Sequence, residues 1–303
     1  MKKILLISGW LAAVVAALAL TACEKVSLPV AAQEDNANVI LRFAPYDQTA
    51  FTRSLGNHTR AVSPLTDQCA KLSVAVFTTD GTKAKNITQK VGDAGYGTVS
   101  LSLSAGTYRL AAIAHNGLGA ATITSTEKVT FASNKVTDTF AYYGTLVVEE
   151  GVPIEQEVQM TRRVAMVRLT LSDGALPEGV KRMKFYYTGG SSTYSPTTGY
   201  GCVNSKQTEY RDCYDDDGEA VTVYELYTLP HEENDVLKMT ITALGEGGEE
   251  MYSTVFENMP VVRNKITTWT GAPFGGDGGG PITSGGISIT LDTGWDGTLN
   301  YTF

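Results

Sequence analysis

Hydrophobic and polar residues alternate along most of the chain, and this alternation predicts β-strands. Leu72, Val74 and Val76 fall on one face of an extended chain, as expected for a strand that borders a core. Further segments show the same alternation or a run of β-branched and aromatic residues: 38–44, 97–103, 107–114, 129–131, 144–148, 154–160, 162–171, 180–187, 220–229, 236–244 and 250–256. Many short strands separated by turn residues predict an all-β protein built from β-sandwiches.

Glycine and small polar residues mark the turns between these segments. Gly81 predicts a hairpin after residue 77, and Gly106 predicts a second hairpin that joins residues 97–103 to 107–114. The polar stretch 47–67 is an unusually long connection between two strands.

The glycine-rich stretch 271–286 predicts a pliant connector, and it leads to terminal strands within residues 287–303. A second series of strands begins at residue 162, so we place a domain boundary near Met160. The expected organisation has four parts: a lipoprotein signal peptide (1–22), a lipidated tether (23–37), an N-terminal β-sandwich (38–160) and a C-terminal β-sandwich (161–303).

The N-terminus has the pattern of an exported lipoprotein. Two lysines precede an apolar run that ends in small residues, as in a secretory signal. Leu20, Thr21, Ala22 and Cys23 then resemble the bacterial lipobox, in which cleavage between Ala22 and Cys23 exposes a cysteine that carries acyl chains. The alternative is an ordinary signal peptide with an incidental cysteine. By the same resemblance, Glu24 favours the outer membrane.

Composition and charge exclude several other functions. The 303-residue chain has 43% hydrophobic residues, 18% charged residues and a formal charge of −8, and removal of a signal with two lysines takes the charge to about −10. An acidic chain without a basic stripe is a poor partner for nucleic acid. Three histidines and four cysteines leave little material for a metal centre. We therefore expect no nucleic acid, metal or cofactor.

No catalytic constellation stands out in the sequence. His115 follows an apolar strand, which is more typical of a packed or turn-bonding histidine than of a general base, and the chain lacks a G-x-S-x-G nucleophile turn. We therefore expect no enzymatic activity, although a hydrolase is retained as a remote alternative.

The cysteines and one acidic turn leave two questions open. Cys202 and Cys213 either form a disulfide across a hairpin or remain free, and Cys69 is expected to be a small core residue. The acidic residues at 212–219 either bind calcium or form a solvated turn; the order of an EF-hand loop fails there because Cys213 occupies its first position. The solvated turn is favoured.

Beyond the lipobox, five segments in a fixed order resemble the Bacteroidales fimbrillin superfamily, particularly its lipoprotein fimbrial-anchor branch. These segments are 72–81, 103–108, 114–116, 161–165 and 258–264. The resemblance implies two transthyretin-like (Greek-key) β-sandwich domains in tandem. It also implies a stalk, tip or anchor subunit of a fimbrium that is exposed on the outer membrane, with other fimbrial subunits and a host protein or glycan as partners.

The same resemblance suggests assembly by β-strand donation. In stalk subunits of the family, a protease cleaves after an arginine that follows the first strand; Arg60–Ala61 is the preferred bond here, with Arg53 as the alternative. The first strand instead stays in place if the chain is an anchor. The donor candidate is Ile287, Ile289 and Leu291, or the adjacent residues 298–303; alternatively, these strands complete their own sandwich.

A surface glycan-binding lipoprotein is the main alternative function. Aromatic faces suit the apolar side of a sugar ring, and several tyrosines are available for such stacking. Neighbouring tyrosines in a strand point to opposite faces, however, so one of each pair is expected to lie in the core. The tyrosines concerned are Tyr142, Tyr143, Tyr186, Tyr187 and Tyr194.

Overall fold

The computed structural model describes residues 36–45, 65–171, 176–274, 288–292 and 301–302. Within these residues the chain is almost entirely β-structure, with one short α-helix, Leu65–Gln68, and one 3₁₀ turn, Ala132–Asn134. The strands in chain order are β1 Val39–Pro45, β2 Lys71–Thr78, β3 Lys83–Lys90, β4 Thr98–Leu101, β5 Gly106–His115, β6 Thr122–Ser125, β7 Lys128–Thr130, β8 Thr139–Val148, β9 Ile154–Arg162, β10 Ala165–Leu171, β11 Arg182–Thr188, β12 Thr193–Ser195, β13 Tyr200–Gly201, β14 Lys206–Asp212, β15 Val223–Thr228, β16 Asn234–Leu244, β17 Glu250–Val262, β18 Ile266–Gly271, β19 Ser288–Asp292 and β20 Tyr301–Thr302. The predicted all-β fold is confirmed.

The strands up to residue 162 form a sheet of order β3-β2-β5-β8-β9-β1-β4. β8 and β9 pair only at one end, where Phe140 lies opposite Arg162. The two parts of the sheet on either side of this joint share one core, because side chains of β1, β4 and β9 and of β2, β5 and β8 belong to the same buried cluster. This arrangement is a sandwich made from one folded sheet.

The first hairpin is confirmed and the second prediction is wrong. β2 and β3 pair around Gly81, whose φ of +87° is a left-handed conformation that favours glycine. β4 instead pairs with β1, whereas β5 pairs with β2 and β8. The short segment 102–105 therefore crosses from one part of the sandwich to the other, and both strands still direct apolar side chains into the same core.

The later strands form a second sandwich. One sheet has the order β15-β10-β18-β19-β20, and the other has the order β14-β11-β16-β17. Between them lies a core that includes Phe185 and Trp269, each no more than 2% exposed. Phe274 is also in this core and packs against Tyr252, with ring centroids 5.8 Å apart. The first residues of the predicted pliant connector are therefore packed.

A small sheet of order β13-β12-β7-β6 combines strands from before and after residue 160. It covers a third core, the junction core, in which Phe77 and Ile113 of the first sandwich contact a cluster that includes Met166, Tyr194 and Ile266. Apolar burial thus continues from the first sandwich into the second. The domain boundary near Met160 remains a prediction.

Arg162 forms a half-buried ion pair at the end of β9. Its Nε lies 2.8 Å from Oδ1 of Asp138, its Nη2 lies 3.0 Å from Oδ2, and its guanidinium stacks on Phe140 at 4.6 Å from the ring centroid. The side chains of Arg162 and Asp138 are only 13% and 17% exposed. Two parallel hydrogen bonds and restricted solvent make the loss of one partner much more costly here than at a typical surface pair.

We expect Arg162→Ala to lower the free energy of unfolding by about 3–5 kcal/mol, because it leaves the Asp138 carboxylate desolvated without a partner. Urea unfolding measures this loss. The matched control is Arg182→Ala, since Arg182 and Asp212 are 52% and 76% exposed; its expected effect is about 1 kcal/mol or less. Equal losses in the two variants would contradict the larger effect that we expect at the Arg162–Asp138 pair.

Candidate functional site

β1 is the first strand after the predicted tether, and both of its edges are occupied. It runs parallel to β9 over seven residue pairs and antiparallel to β4 over four. Val39 and Leu41 are fully buried and Phe43 is 5% exposed. Burial contributes about 1.5–3 kcal/mol for each such side chain, so loss of β1 would open an apolar groove between β4 and β9.

Asn38 fixes the chain at the entrance to β1. Its side-chain amide donates to the Leu103 carbonyl at 2.8 Å, and its Oδ1 accepts from the Leu103 N–H at 2.9 Å. Its backbone carbonyl also accepts from the N–H of Ile154 at 2.8 Å. Hydrogen bonds therefore already hold the chain at Asn38, the residue directly before β1.

The C-terminal strands extend one sheet of the second sandwich. β19 pairs antiparallel with β18, from Ile266 opposite Asp292 to Thr270 opposite Ser288. Among the described residues, β20 pairs with Ser288 and Ile289. The backbone of Ile289 and Leu291, two of the donor candidates, thus lies in a strand of its own chain, and the described residues of β20 pair with two positions of this strand.

The remaining processing and donor residues lie outside the described part of the chain. These residues are Ala22, Cys23, Arg53, Arg60, Ala61 and Ile287. Their predicted roles remain predictions. The described residues contain no helix that is long and apolar enough to cross a membrane.

The three described cysteines are all free. Cys69 is 1% exposed in the first core, and burial raises the pKa of its thiol to about 12, so the expected core role is confirmed. Cys202 is exposed, and its Sγ lies 3.6 Å from the Thr193 carbonyl oxygen. Cys213 is buried in the second core. The structure does not join Cys202 to Cys213.

The acidic turn uses one carboxylate for its own backbone. Oδ1 of Asp215 accepts hydrogen bonds from the N–H groups of Asp217 at 3.0 Å and Glu219 at 2.9 Å. The Gly218 N–H closes the turn on the Asp215 carbonyl at 3.0 Å. Across the described residues, no group of three or more His, Cys, Asp or Glu side chains is arranged to hold a metal ion.

His115 is a packed histidine, as the sequence indicated. It is 1% exposed, its Nδ1 accepts the Gly117 N–H at 3.0 Å, and its ring meets Phe131 edge to face at 5.3 Å between centroids. Burial, and secondarily the charge of Lys71, lowers the pKa of His115 to about 4. The ring is therefore neutral at physiological pH.

Most of the tyrosines considered for sugar stacking are covered. Tyr187 and Tyr194 are 3% and 1% exposed, and Tyr142 and Tyr143 are half-buried against the first core and the junction core. Tyr186 is 36% exposed on the outer face of β11. The prediction that one member of each pair is core holds for Tyr186 and Tyr187.

A polar cleft lies beside the small sheet. Its volume is about 510 Å³, and its walls are mostly hydroxyl and amide side chains: Ser133, Asn134, Ser192, Thr193, Val203, Ser205, Lys206, Gln207 and Thr208. The first two of these residues precede residue 160 and the others follow it. The composition suits a hydroxyl-rich ligand more than an apolar one.

Glu209 joins the two parts of the chain near this cleft, and sequence reasoning missed it. The side chain is 6% exposed and lies 3.4 Å from Nζ of Lys135. It also accepts from Arg211 at 2.5 Å and from the Tyr187 hydroxyl at 2.9 Å. Burial raises the pKa of Tyr187 well above 10, so this hydroxyl remains a donor. β14 reads as a polar segment, which gave no signal that one carboxylate in it is buried.

Comparison with known proteins identifies relatives of the chain. The profile of a family described as Fimbrillin-A associated anchor proteins Mfa1 and Mfa2 matches residues 32–296. A search of curated proteins returns no match.

Three solved structures illustrate the likeness in fold. A candidate polysaccharide-binding protein from Bacteroides thetaiotaomicron is 11% identical with a TM-score of 0.51, covering 88% of this chain and 98% of that one. A candidate adhesin from Bacteroides ovatus is 14% identical with a TM-score of 0.50, covering 88% and 95%. The fimbrial anchor protein Mfa2 from Porphyromonas gingivalis is 13% identical with a TM-score of 0.41, covering 86% of this chain and 98% of that one.

We expect His115 to destabilise the protein in acid. Below pH 6.5 the unfolded chain binds a proton at this residue, whereas the folded chain does not until about pH 4. Stability is therefore unaffected above pH 6.5 and falls as the pH drops towards 4. His115→Asn keeps an acceptor for the Gly117 N–H but cannot titrate. Between pH 7.5 and 4.5, we therefore expect the free energy of unfolding of wild type to fall by about 2–3 kcal/mol more than that of the variant. Urea unfolding at both pH values measures this difference, and a pH-independent difference would contradict it.

Proposed function

Because the chain belongs to the family of Fimbrillin-A associated anchor proteins Mfa1 and Mfa2, we propose that it is a lipid-anchored fimbrial subunit that holds a fimbrium to the outer membrane for cell-surface adhesion. The observation that carries the anchor role is the position of β1, the strand that follows the tether. It lies between β4 and β9 with three apolar side chains buried.

Lipid on Cys23 supplies the membrane attachment. Each buried methylene contributes about 0.8 kcal/mol, so two or three acyl chains hold a protein stably where a single chain is marginal. The cysteine precedes β1 with only the tether between them. When the fimbrium is pulled, the lipid holds the fixed end of the chain, and the force acts on a strand inside a sheet.

The pairing of β1 suits it to carry that load. Force along the strand acts in shear on the parallel ladder with β9 and the antiparallel ladder with β4, so several hydrogen bonds must break together. Each contributes about 1 kcal/mol net, and the buried side chains of Val39, Leu41 and Phe43 add to the resistance. A subunit cut after Arg53 or Arg60 would lose this connection to its lipid. We therefore propose that β1 is retained.

Retention of β1 determines how such a subunit takes part in strand donation. Its own groove is filled, so it donates a strand rather than accepting one. β19 is the candidate, because it lies outside β18 in its sheet and pairs with the described residues of β20 at two positions. Edge strands offer unpaired backbone groups to a neighbouring chain. The partners are other fimbrial subunits, and this role requires no catalysis.

Glycan binding is a second candidate, and the polar cleft favours it. Its hydroxyl and amide side chains, Ser192, Thr193 and Gln207 among them, match the hydrogen-bonding groups of a saccharide. In this case the protein is a surface glycan-binding lipoprotein, and the fold likeness extends to a structure described as a candidate polysaccharide-binding protein.

We expect protein recovered from cells to begin at an acylated Cys23. Mass spectrometry of the N-terminal peptide identifies both the start and the acyl mass, and Cys23→Ala is expected to abolish acylation and membrane retention. Cys202→Ala is the matched control, because Cys202 is exposed and free. A start at Ala61 would contradict the retention of β1, and an unmodified Cys23 would contradict lipid anchoring.

We expect mild trypsin treatment, which cleaves after Arg53 or Arg60, to produce a ladder of oligomers on gels. Once β1 dissociates from a cleaved copy, its groove accepts β19 of another copy, and deletion of residues 286–303 is expected to abolish the ladder. Ile289→Asp with Leu291→Asp should do the same, whereas Thr290→Asp is the control, since alternate residues of a strand face opposite sides. Absence of a ladder together with retention on polysaccharide resin would favour the glycan binder.

A further inference from the structure

Two arginines lie just before the starts of β10 and β18. These strands are parallel, with Met166 opposite Ile266, and Arg163 and Arg263 precede their strands by two and three residues. Both guanidiniums face the turn between β12 and β13: a Cβ on Gly199 would lie 3.3 Å from Nη1 of Arg163 and 3.5 Å from Nη1 of Arg263. The parallel pairing therefore places two like charges next to one glycine.

Only one of these two charges is compensated. Nη2 of Arg263 lies 3.1 Å from Oε2 of Glu233, and its guanidinium stacks on Tyr200 at 4.4 Å from the ring centroid. The Tyr200 hydroxyl donates to the same Oε2 at 2.6 Å. Within the described residues, Arg163 has no carboxylate at ion-pair distance, and its Nε is buried without a hydrogen-bond partner.

Tyr194 contributes a third unused donor. The residue is 1% exposed, and its hydroxyl has no hydrogen-bond partner in the part of the chain that the structure describes. Burial raises the pKa of Tyr194, while the charges of Arg163 and Arg263 act in the opposite direction. The hydroxyl is therefore protonated, lies within electrostatic range of both guanidiniums, and is free to donate.

Unpaired donors of this kind are costly unless a ligand satisfies them. A buried polar group without a hydrogen-bond partner destabilises the folded protein by about 1–3 kcal/mol, and an unpaired desolvated cation destabilises it more. A planar guanidinium donates two parallel hydrogen bonds to a carboxylate, sulfate or phosphate group. Gly199, with a φ of +79° and no side chain, leaves the approach to both guanidiniums open.

We propose that Arg163, Arg263 and Tyr194 form a binding site for a small oxyanion at the junction of the two sandwiches. The anion bridges the two guanidiniums and accepts the Tyr194 hydroxyl. This site is independent of the proposed fimbrial role. Its ligand class is an anion with at least two acceptor oxygens, either a carboxylate or a tetrahedral sulfate or phosphate.

Thermal unfolding in sodium sulfate, sodium phosphate or sodium acetate, each against sodium chloride at equal ionic strength, tests the site. Sulfate also stabilises proteins by exclusion from their surface, but that effect does not saturate. A bound anion adds a saturable rise in the melting temperature. We expect the saturable rise in wild type and not in Arg163→Gln. The salt that produces it at the lowest concentration distinguishes a carboxylate from a tetrahedral anion.

Arg182→Gln is the control for the loss of an arginine outside the site; like Arg263, Arg182 pairs with a carboxylate, Asp212, and stacks on a tyrosine, Tyr210. It should keep the wild-type response. Tyr194→Phe removes one hydroxyl and preserves the packing of the ring, and we expect it to weaken anion binding about 3- to 10-fold by isothermal titration with sulfate. The proposal is overturned if wild type shows no saturable response to any of the three anions, or if Arg163→Gln responds as wild type does.

Discussion

The structure depends on strands β2 and β5 being buried on both faces. Leu72 and Val74 of β2 enter the core of the first sandwich, while Ala75 and Phe77 on the opposite face enter the junction core. Because the outer face of this sheet is also apolar, it must be covered, and the small sheet and the start of the second sandwich cover it. One constraint thus fixes the first sandwich, the small sheet and the position of β10.

This arrangement connects β1 with β19, the two strands on which the proposed role depends. β1 lies inside the first sandwich, beside β9. β9 leads to β10, β10 is parallel to β18, and β18 carries β19. In the proposed role, a load applied at the membrane end would pass from β1 to β9 through their ladder, along the chain into β10, and through two further ladders to β18 and β19. Arg162 and Glu209 add polar contacts where the two sandwiches meet.

Local pattern was sufficient for most strands and for the packed roles of His115 and Cys69. It failed where pairing is non-local. The hairpin expected at Gly106 does not form, because β4 finds its partner in β1, far back in the sequence. β14 and β18 were missed because one is polar and the other is rich in threonine. The buried carboxylate of Glu209 and the approach of Arg163 and Arg263 to Gly199 depend on contacts between distant residues, which no local window contains.

The sequence by itself determined the all-β class, the exported lipoprotein pattern and the resemblance to fimbrial anchors, because alternation and short motifs are local properties of the chain. Only the tertiary structure decided that β1 occupies its own groove, that β19 pairs with β18, and that the two sandwiches share a junction core. These features depend on which strand edges and sheet faces meet. The contacts that stabilise each arrangement come from residues far apart in sequence.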